Sequence, residues 1–205
     1  MRNVMAAAQR VVALACAALA ASLSFAHQGP HDAKSTAAQV QPGYVRTLAR
    51  YETPDAKLID MHGAAFELRA SLETDTPVMV NFVFTSCAAI CPVMSATFSQ
   101  VQKKLAPQRD KLRLISISID PEYDTPSRLR EYAQKFGAGP QWQFVTGSAD
   151  ASIEVQRAFG VYRGDKMSHD PVTLMRVARG APWVRLEGFA SANDLIREYR
   201  RLRAQ

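Results

Sequence analysis

The sequence predicts an α/β domain: a central mixed sheet flanked by helices, with a hairpin ahead of it. Three observations predict this. Pro77–Phe84 and Leu112–Ile119 are nearly unbroken apolar runs, as strands buried on both faces require. The stretches after them carry apolar residues at helical spacing and open on prolines suited to a first helical turn. The chain has 205 residues, 47% of them hydrophobic, which is enough for one sizeable core.

The first predicted element is the hairpin. Lys57-Leu-Ile-Asp-Met-His-Gly63 and Ala65-Phe-Glu-Leu68 alternate on either side of His62-Gly63. The strand Pro77–Phe84 follows, and Cys87-Ala-Ala-Ile-Cys91-Pro92 stands directly at its end. Pro92 opens a helix in which Met94, Phe98, Val101 and Leu105 recur as core residues. After Leu112–Ile119, the loop Asp120-Pro-Glu-Tyr-Asp-Thr-Pro126 enters a second helix. Thr125 is its N-cap, Pro126 lies in its first turn, and it stops at Gly137. Gln143–Val145 reads as a short strand. Residues 150–159 read as a helix with Ile153, Val155 and Phe159 on its apolar side. Val172–Val177 and Trp183–Glu187 form a hairpin across Arg179-Gly180, and Ala192 to about Arg203 closes the chain as an amphipathic helix. This order is that of a thioredoxin-like domain with an N-terminal hairpin and a strand-loop-helix insertion.

Residues 1–26 stand apart. Arg2 and Arg10 accompany an alanine-rich apolar run that ends Ser24-Phe25-Ala26, a small-x-small pattern. This is the form of a secretory signal peptide cut after Ala26. The run is short for a membrane span, which needs about 20 apolar residues. Residues 27–45, polar and dotted with Gly and Pro, read as a flexible arm, and 46–205 as the folded domain. Removing residues 1–26 removes two of 25 basic residues and none of 19 acidic ones, so 23 against 19 leaves a charge of +4. Arg197, Arg200, Arg201 and Arg203 cluster at the end. No basic stripe with aromatics in a known module appears, so nucleic acid is not the expected partner. A mild positive charge suits an acidic protein or a membrane surface, although a solvated helix face is the plainer reading.

Cleavage would remove Cys16 and leave Cys87 and Cys91. Two cysteines are too few for a disulfide scaffold, and the loop they could close is tiny, so their role is chemical. Cys87 is expected in the strand-to-helix loop and Cys91 at the helix start. There the partial positive charge and free N–H groups of a helix end stabilise thiolates. Both sulfurs are therefore expected to be partly exposed, low in pKa and close together. Such a pair can form a reversible disulfide or hold a soft metal. Thiolates favour Cu(I), zinc or iron–sulfur clusters. A cluster lacks enough thiolates here, and structural zinc normally takes four protein ligands. Two sulfurs suffice for near-linear Cu(I), and an added imidazole accommodates Cu(II). The candidate third ligands are His27 and His31 in the arm, His62 at the hairpin tip, and His169 ahead of the strand Val172–Val177. Met167 is a further soft donor, for which packing is the plainer role. Asp120 and Asp124 could accept from an imidazole N–H, with loop and cap structure the plainer reading for Asp124.

The stretches "FVFTSCAAICPVM", "ISISIDPEYDTPSRLREYA" and "SHDPVTLM" resemble the Sco/SenC family of copper-binding, thioredoxin-fold proteins, over residues from about 45 to 203. The resemblance implies a factor that assembles the binuclear copper centre of cytochrome c oxidase. It implies copper, as Cu(I) and/or Cu(II), bound by the two motif cysteines and the later histidine, here Cys87, Cys91 and His169. It also implies thiols able to cycle with a disulfide. The expected protein is a copper metallochaperone of the bacterial periplasm, membrane-proximal without spanning. Its expected partner is the copper-centre subunit of the oxidase or another periplasmic copper protein. The alternative is a thiol–disulfide reductase that keeps a partner's copper-ligand cysteines reduced, with Cys87 attacking and Cys91 resolving. The chain departs from the family in two places. Asp170-Pro171 directly follows His169, a proline placed like the cis-proline of disulfide oxidoreductases, and the turn Ala178–Pro182 is basic.

Overall fold

Eight strands form one mixed sheet in the computed structural model, which describes residues 43–204. The expected signal peptide, residues 1–26 with Cys16, and the arm residues His27 and His31 lie outside the described residues. The strands are β1 (Tyr44–Ala49), β2 (Lys57–Asp60), β3 (Ala65–Glu67), β4 (Val78–Val83), β5 (Arg113–Ser118), β6 (Trp142–Gly147), β7 (Val172–Arg176) and β8 (Trp183–Gly188). The helices are α1 (Leu68–Leu72), α2 (Ile90–Lys104), α3 (Pro126–Lys135), α4 (Ala149–Ala158) and α5 (Ala192–Arg203). The strand order is β1-β8-β7-β4-β5-β6-β2-β3. β4, β5 and β6 run parallel, and every other neighbour pairs antiparallel.

The apolar runs decide which strands are central. All six residues of β4 and all five of β7 are buried. Successive side chains on a strand point to opposite faces, and this sorts the core into two layers. Val80, Phe82, Ile115, Ile117 and Leu174 pack with Val155 and Phe159 on one side. Met79, Leu114, Phe144 and Met175 pack with Phe98 and Val101 of α2, Leu129 and Tyr132 of α3, and Leu195 and Tyr199 of α5 on the other. A buried polar line crosses the second layer. Trp142 Nε1 donates to Ser116 Oγ at 2.9 Å, and Ser116 Oγ donates to Asn81 Oδ1 at 2.7 Å.

The expected elements form, with local differences. The β2–β3 hairpin pairs Lys57 with Glu67 and leaves His62 exposed in its turn. Thr125 caps α3, accepting from Arg128 N–H, and Ser191 with Asp194 forms a capping box on α5. Strand β6 is longer than the three residues read from the sequence. Strand β1 went unread: Tyr44 and Val45, read as the end of the arm, are its first two residues. It is an edge strand bonded only to β8, with Val45 and Leu48 exposed, so it lacks a clean buried period. The five-residue α1 is too short to show a helical period.

This architecture gathers three segments at one end of the sheet. The parallel strands β4 and β5 both end there, and antiparallel β7 begins there. The loops 84–89 and 119–125 and the segment 160–171 therefore meet, as is usual at the carboxyl ends of parallel strands.

Candidate functional site

Strand β4 ends at Val83, and the chain turns through residues 84–89 into α2. Cys87 N–H donates to Phe84 O at 3.1 Å and closes the turn. Cys91 N–H donates to Cys87 Sγ at 3.4 Å, and Phe84 N–H donates to Cys91 Sγ at 3.4 Å. Both cysteines are free thiols; Cys87 is half-buried and Cys91 fully buried. Helix α2 has no side-chain N-cap, so its first-turn N–H groups are available to sulfur.

The two thiols are electrostatically unequal, which corrects the expectation that both are exposed and acidic. Burial pushes the Cys87 pKa up, but the N–H groups of Cys91, Ala89 and Ile90 outweigh it and hold the thiol below its ordinary value. Burial pushes Cys91 far above the ordinary thiol range, and the neighbouring Cys87 adds to the rise. The reason is position: Cys91, in the first turn of α2, is buried in the core layer that includes Phe82 and Phe84, whereas Cys87, in the turn ahead of the helix, packs against that layer half-buried.

A buried carboxylate holds the turn from below. Asp124 is 0% exposed, accepting from Thr85 N–H at 3.1 Å, Thr85 Oγ1 at 2.5 Å and Ser118 Oγ at 2.6 Å. It therefore ties the end of β5 to the residue between Phe84 and the cysteines. Burial raises its pKa, against the opposing pull of these donors. Sequence reading assigned Asp124 to loop and cap structure. The clamp arises because parallel pairing sets Ser118 beside Val83, and the hydroxyls at the two strand ends were its only trace in the sequence.

His169 closes the 3-10 turn Lys166–Ser168 and is 4% exposed. Its Nε2 lies 3.0 Å from Phe82 O. A carbonyl can only accept, so Nε2 carries the proton and Nδ1 is left with a lone pair. That Nδ1 is buried without a partner. Burial lowers the His169 pKa, so the ring is held neutral. Neither Asp120 nor Asp124 meets the imidazole, because Asp120 pairs with Lys166 Nζ at 2.6 Å. Among the described residues, no three His, Cys, Asp or Glu side chains are grouped at metal-binding spacing. The fold thus brings the two sulfurs together and brings His169 to the same strand end, with its ring engaged by backbone.

The rest of the segment is held lightly. Asp165 caps the 3-10 turn through Met167 N–H, and Arg163 pairs with Asp170 at 2.9 Å. Gly160 and Gly164 occupy left-handed backbone that other residues adopt at a cost. Met167, for which packing was the plainer role, is instead 73% exposed. The Asp170–Pro171 peptide is trans, unlike the cis-proline arrangement. A cleft of about 420 Å³ lies beside the segment, bordered by Asp120, Glu122, Ile153, Tyr162, Lys166 and His169. Val93, Tyr123, Met167 and Phe189, all exposed, stand on the loops and helix start at this end.

A free thiol pair where a buried strand becomes a helix, on a mixed sheet covered on both faces, defines a thioredoxin-like dithiol protein. A sequence profile of the SCO1/SenC family matches residues 50–194, and the chain belongs to that family. It is 39% identical over 77 residues to the SCO1 protein homolog of Bacillus subtilis, a match covering 37% of this chain and 40% of that protein. The curated relatives are longer than the matched stretch, which spans about half of each or less. The solved structure of BsSco, a member of the Sco family of cytochrome c oxidase assembly proteins in which a disulfide switch was identified, superposes with a TM-score of 0.64 at 26% identity. It covers 77% of this chain and 96% of that one. Bradyrhizobium japonicum ScoI with copper bound superposes with a TM-score of 0.54 at 25% identity, covering 63% and 87%.

Proposed function

We propose that this chain is an exported copper metallochaperone of the bacterial periplasm. It carries one copper ion as cargo on the Cys87 and Cys91 thiolates and the His169 imidazole, and delivers it for assembly of the cytochrome c oxidase copper centre. One observation carries the reading: two free sulfurs share a turn with a strand that also holds a buried, neutral imidazole bearing an unpartnered nitrogen. Family membership, the copper-bound relative and the oxidase-assembly relative support it.

The donor set fits the cargo. Two thiolates match soft Cu(I), and a neutral imidazole extends the set to Cu(II). Cys91 keeps its proton when no cation is near. A copper ion beside it would remove the penalty on its charged form, so loading releases protons. His169 would serve either by releasing Phe82 O or through Nδ1, and movement between Gly160 and Pro171 would supply the reach. Delivery is an exchange of ligands, in which a partner's donors replace these one at a time.

Anaerobic titration with Cu(I), then Cu(II), tests this. One copper per chain is expected, lost in Cys87→Ser and in Cys91→Ser. In His169→Ala, Cu(I) is retained and Cu(II) weakened. Reduced protein that takes up no copper overturns the reading. Mass spectrometry of the exported chain should find His27 at its N-terminus.

The inequality of the thiols favours a second reading, a thiol–disulfide reductase that keeps a partner's copper ligands reduced. An accessible, acidified Cys87 suits attack, and a buried Cys91 suits resolution of the mixed disulfide. Its mark is turnover of a protein disulfide that His169→Ala leaves unchanged.

A further inference from the structure

We propose that the surface formed by the last turn of α2, the turn after it and the outer side of α5 docks onto an anionic phospholipid bilayer. The proposal is independent of copper. Residues 103–113 and 192–203 hold nine of the chain's 25 basic residues and three of its 19 acidic ones, leaving sixteen of each sign elsewhere. The formal charge of +6 therefore resides wholly in these two segments.

Folding sets them side by side. Tyr199 OH donates to Lys111 O at 3.3 Å, and Lys104 Nζ donates to Asn193 Oδ1. The described acids offset little of this surface. Glu198 is buried and held by Arg46 and Arg201, and Asp194 caps α5 and pairs with Arg197. Among the described side chains, none of Lys103, Lys111, Arg200 and Arg203 pairs with a carboxylate. A hollow of about 330 Å³ is lined by Lys111, Tyr199, Arg200, Arg203 and Ala204: three cations and no acid.

The form of the surface selects the partner. The cations spread over two helices and a turn, which an extended anionic plane meets at once, and the hollow admits a headgroup phosphate between its guanidinium and ammonium groups. A protein interface would want an apolar core, and a single-stranded nucleic acid would want stacking aromatics. Of the exposed large apolar residues of the described chain, Val45, Leu48, Tyr123, Met167 and Phe189 lie on other elements, and Val93 lies in the first turn of α2, at the opposite end of that helix from Lys103. Lys103 stands twelve residues along α2 from Cys91, about 18 Å at the helical rise, so a docked chain keeps its dithiol clear of the lipid.

Flotation of the purified full chain with vesicles tests the proposal. Phosphatidylcholine vesicles are compared with vesicles also containing phosphatidylglycerol, at low salt and at about 1 M salt, where the screening length falls to about 3 Å. Binding is expected only with phosphatidylglycerol and low salt, without competition from equimolar inorganic phosphate. The triple variant Lys111→Glu, Arg200→Glu, Arg203→Glu should lose at least about tenfold in binding with copper uptake unchanged, because charge attraction supplies the affinity. Arg157→Glu on α4 should bind as the parent does. Equal binding to both vesicle types, or a triple variant that still floats, overturns the proposal. Retention on immobilised polyglutamate without vesicle binding would assign the surface to an acidic protein instead.

Discussion

The turn that carries the cysteines and the segment that carries His169 meet at the same end of the sheet, yet they are held differently. The turn is held by a buried carboxylate with three donors, by N–H groups aimed at both sulfurs, and by a strand buried along its whole length. The histidine segment is held by two partly exposed ion pairs, a capped 3-10 turn and one ring–carbonyl contact, and is entered through two left-handed glycines, Gly160 and Gly164. One region presents its donors ready-made. The other stores its donor in a place it can leave. A site built this way keeps its thiols fixed and makes the imidazole the adjustable member.

The largest effect that would break this comparison is at Asp124. Asp124→Ala leaves Thr85 N–H, Thr85 Oγ1 and Ser118 Oγ without their acceptor, and should cost about 2–4 kcal/mol in urea denaturation. Asp124→Asn, which keeps the shape, should cost less. A loss under about 0.5 kcal/mol for the alanine variant would mean that the turn is not held from below.

Acid should act through the other region. Burial depresses the His169 pKa, so the unfolded chain binds this proton more readily than the folded one. Stability therefore falls as pH drops below the unfolded value of about 6.5, and His169→Gln should flatten that slope. An unchanged slope in the variant would show that the ring is not held neutral.

Alkylation sharpens the contrast within the turn. Cys87, with its lowered pKa, should reach its maximal rate with iodoacetamide at a lower pH than an ordinary thiol of about 8.5. Buried Cys91 should react only when the fold opens. Peptide mass spectrometry distinguishes the two, and equal rates would remove the attacking-and-resolving assignment.

The smallest effect is expected at Lys166→Ala. Its partner Asp120 is 9% exposed but the lysine side chain is 41% exposed, so solvent screens the pair and the global stability should barely change. Amide exchange across residues 162–170 should nonetheless quicken severalfold, while the cysteine turn stays protected. Uniform exchange would erase the distinction between the two regions.

Most of the fold was legible because strong periods announce it. The runs of β4 and β5, the Thr125-Pro126 helix start and the closing hairpin and helix all carry their own signals. Strand β1 did not, because an edge strand bonded on one side leaves half its residues in water. The thiol pair was legible because a strand end, two cysteines and a proline are contiguous. Its inequality was not: folding buries Cys91 in the core with Phe82 and Phe84 and leaves Cys87, four residues earlier in the turn, half-buried. Met167 shows the same limit, since an apolar residue in an irregular segment carries no period to say whether it is covered.

The sequence by itself determined the order of elements, the placing of two thiols at a strand-to-helix junction, and the gathering of net charge into two segments. These are local properties, set by residue type and spacing over a few turns. Tertiary structure alone decided that Asp124 lies beneath the cysteines, that His169 faces Phe82 O, and that residues 103–113 and 192–203 share a surface. Each of those joins parts of the chain far apart in sequence, and their contact depends on which strands pair and which helix face is buried.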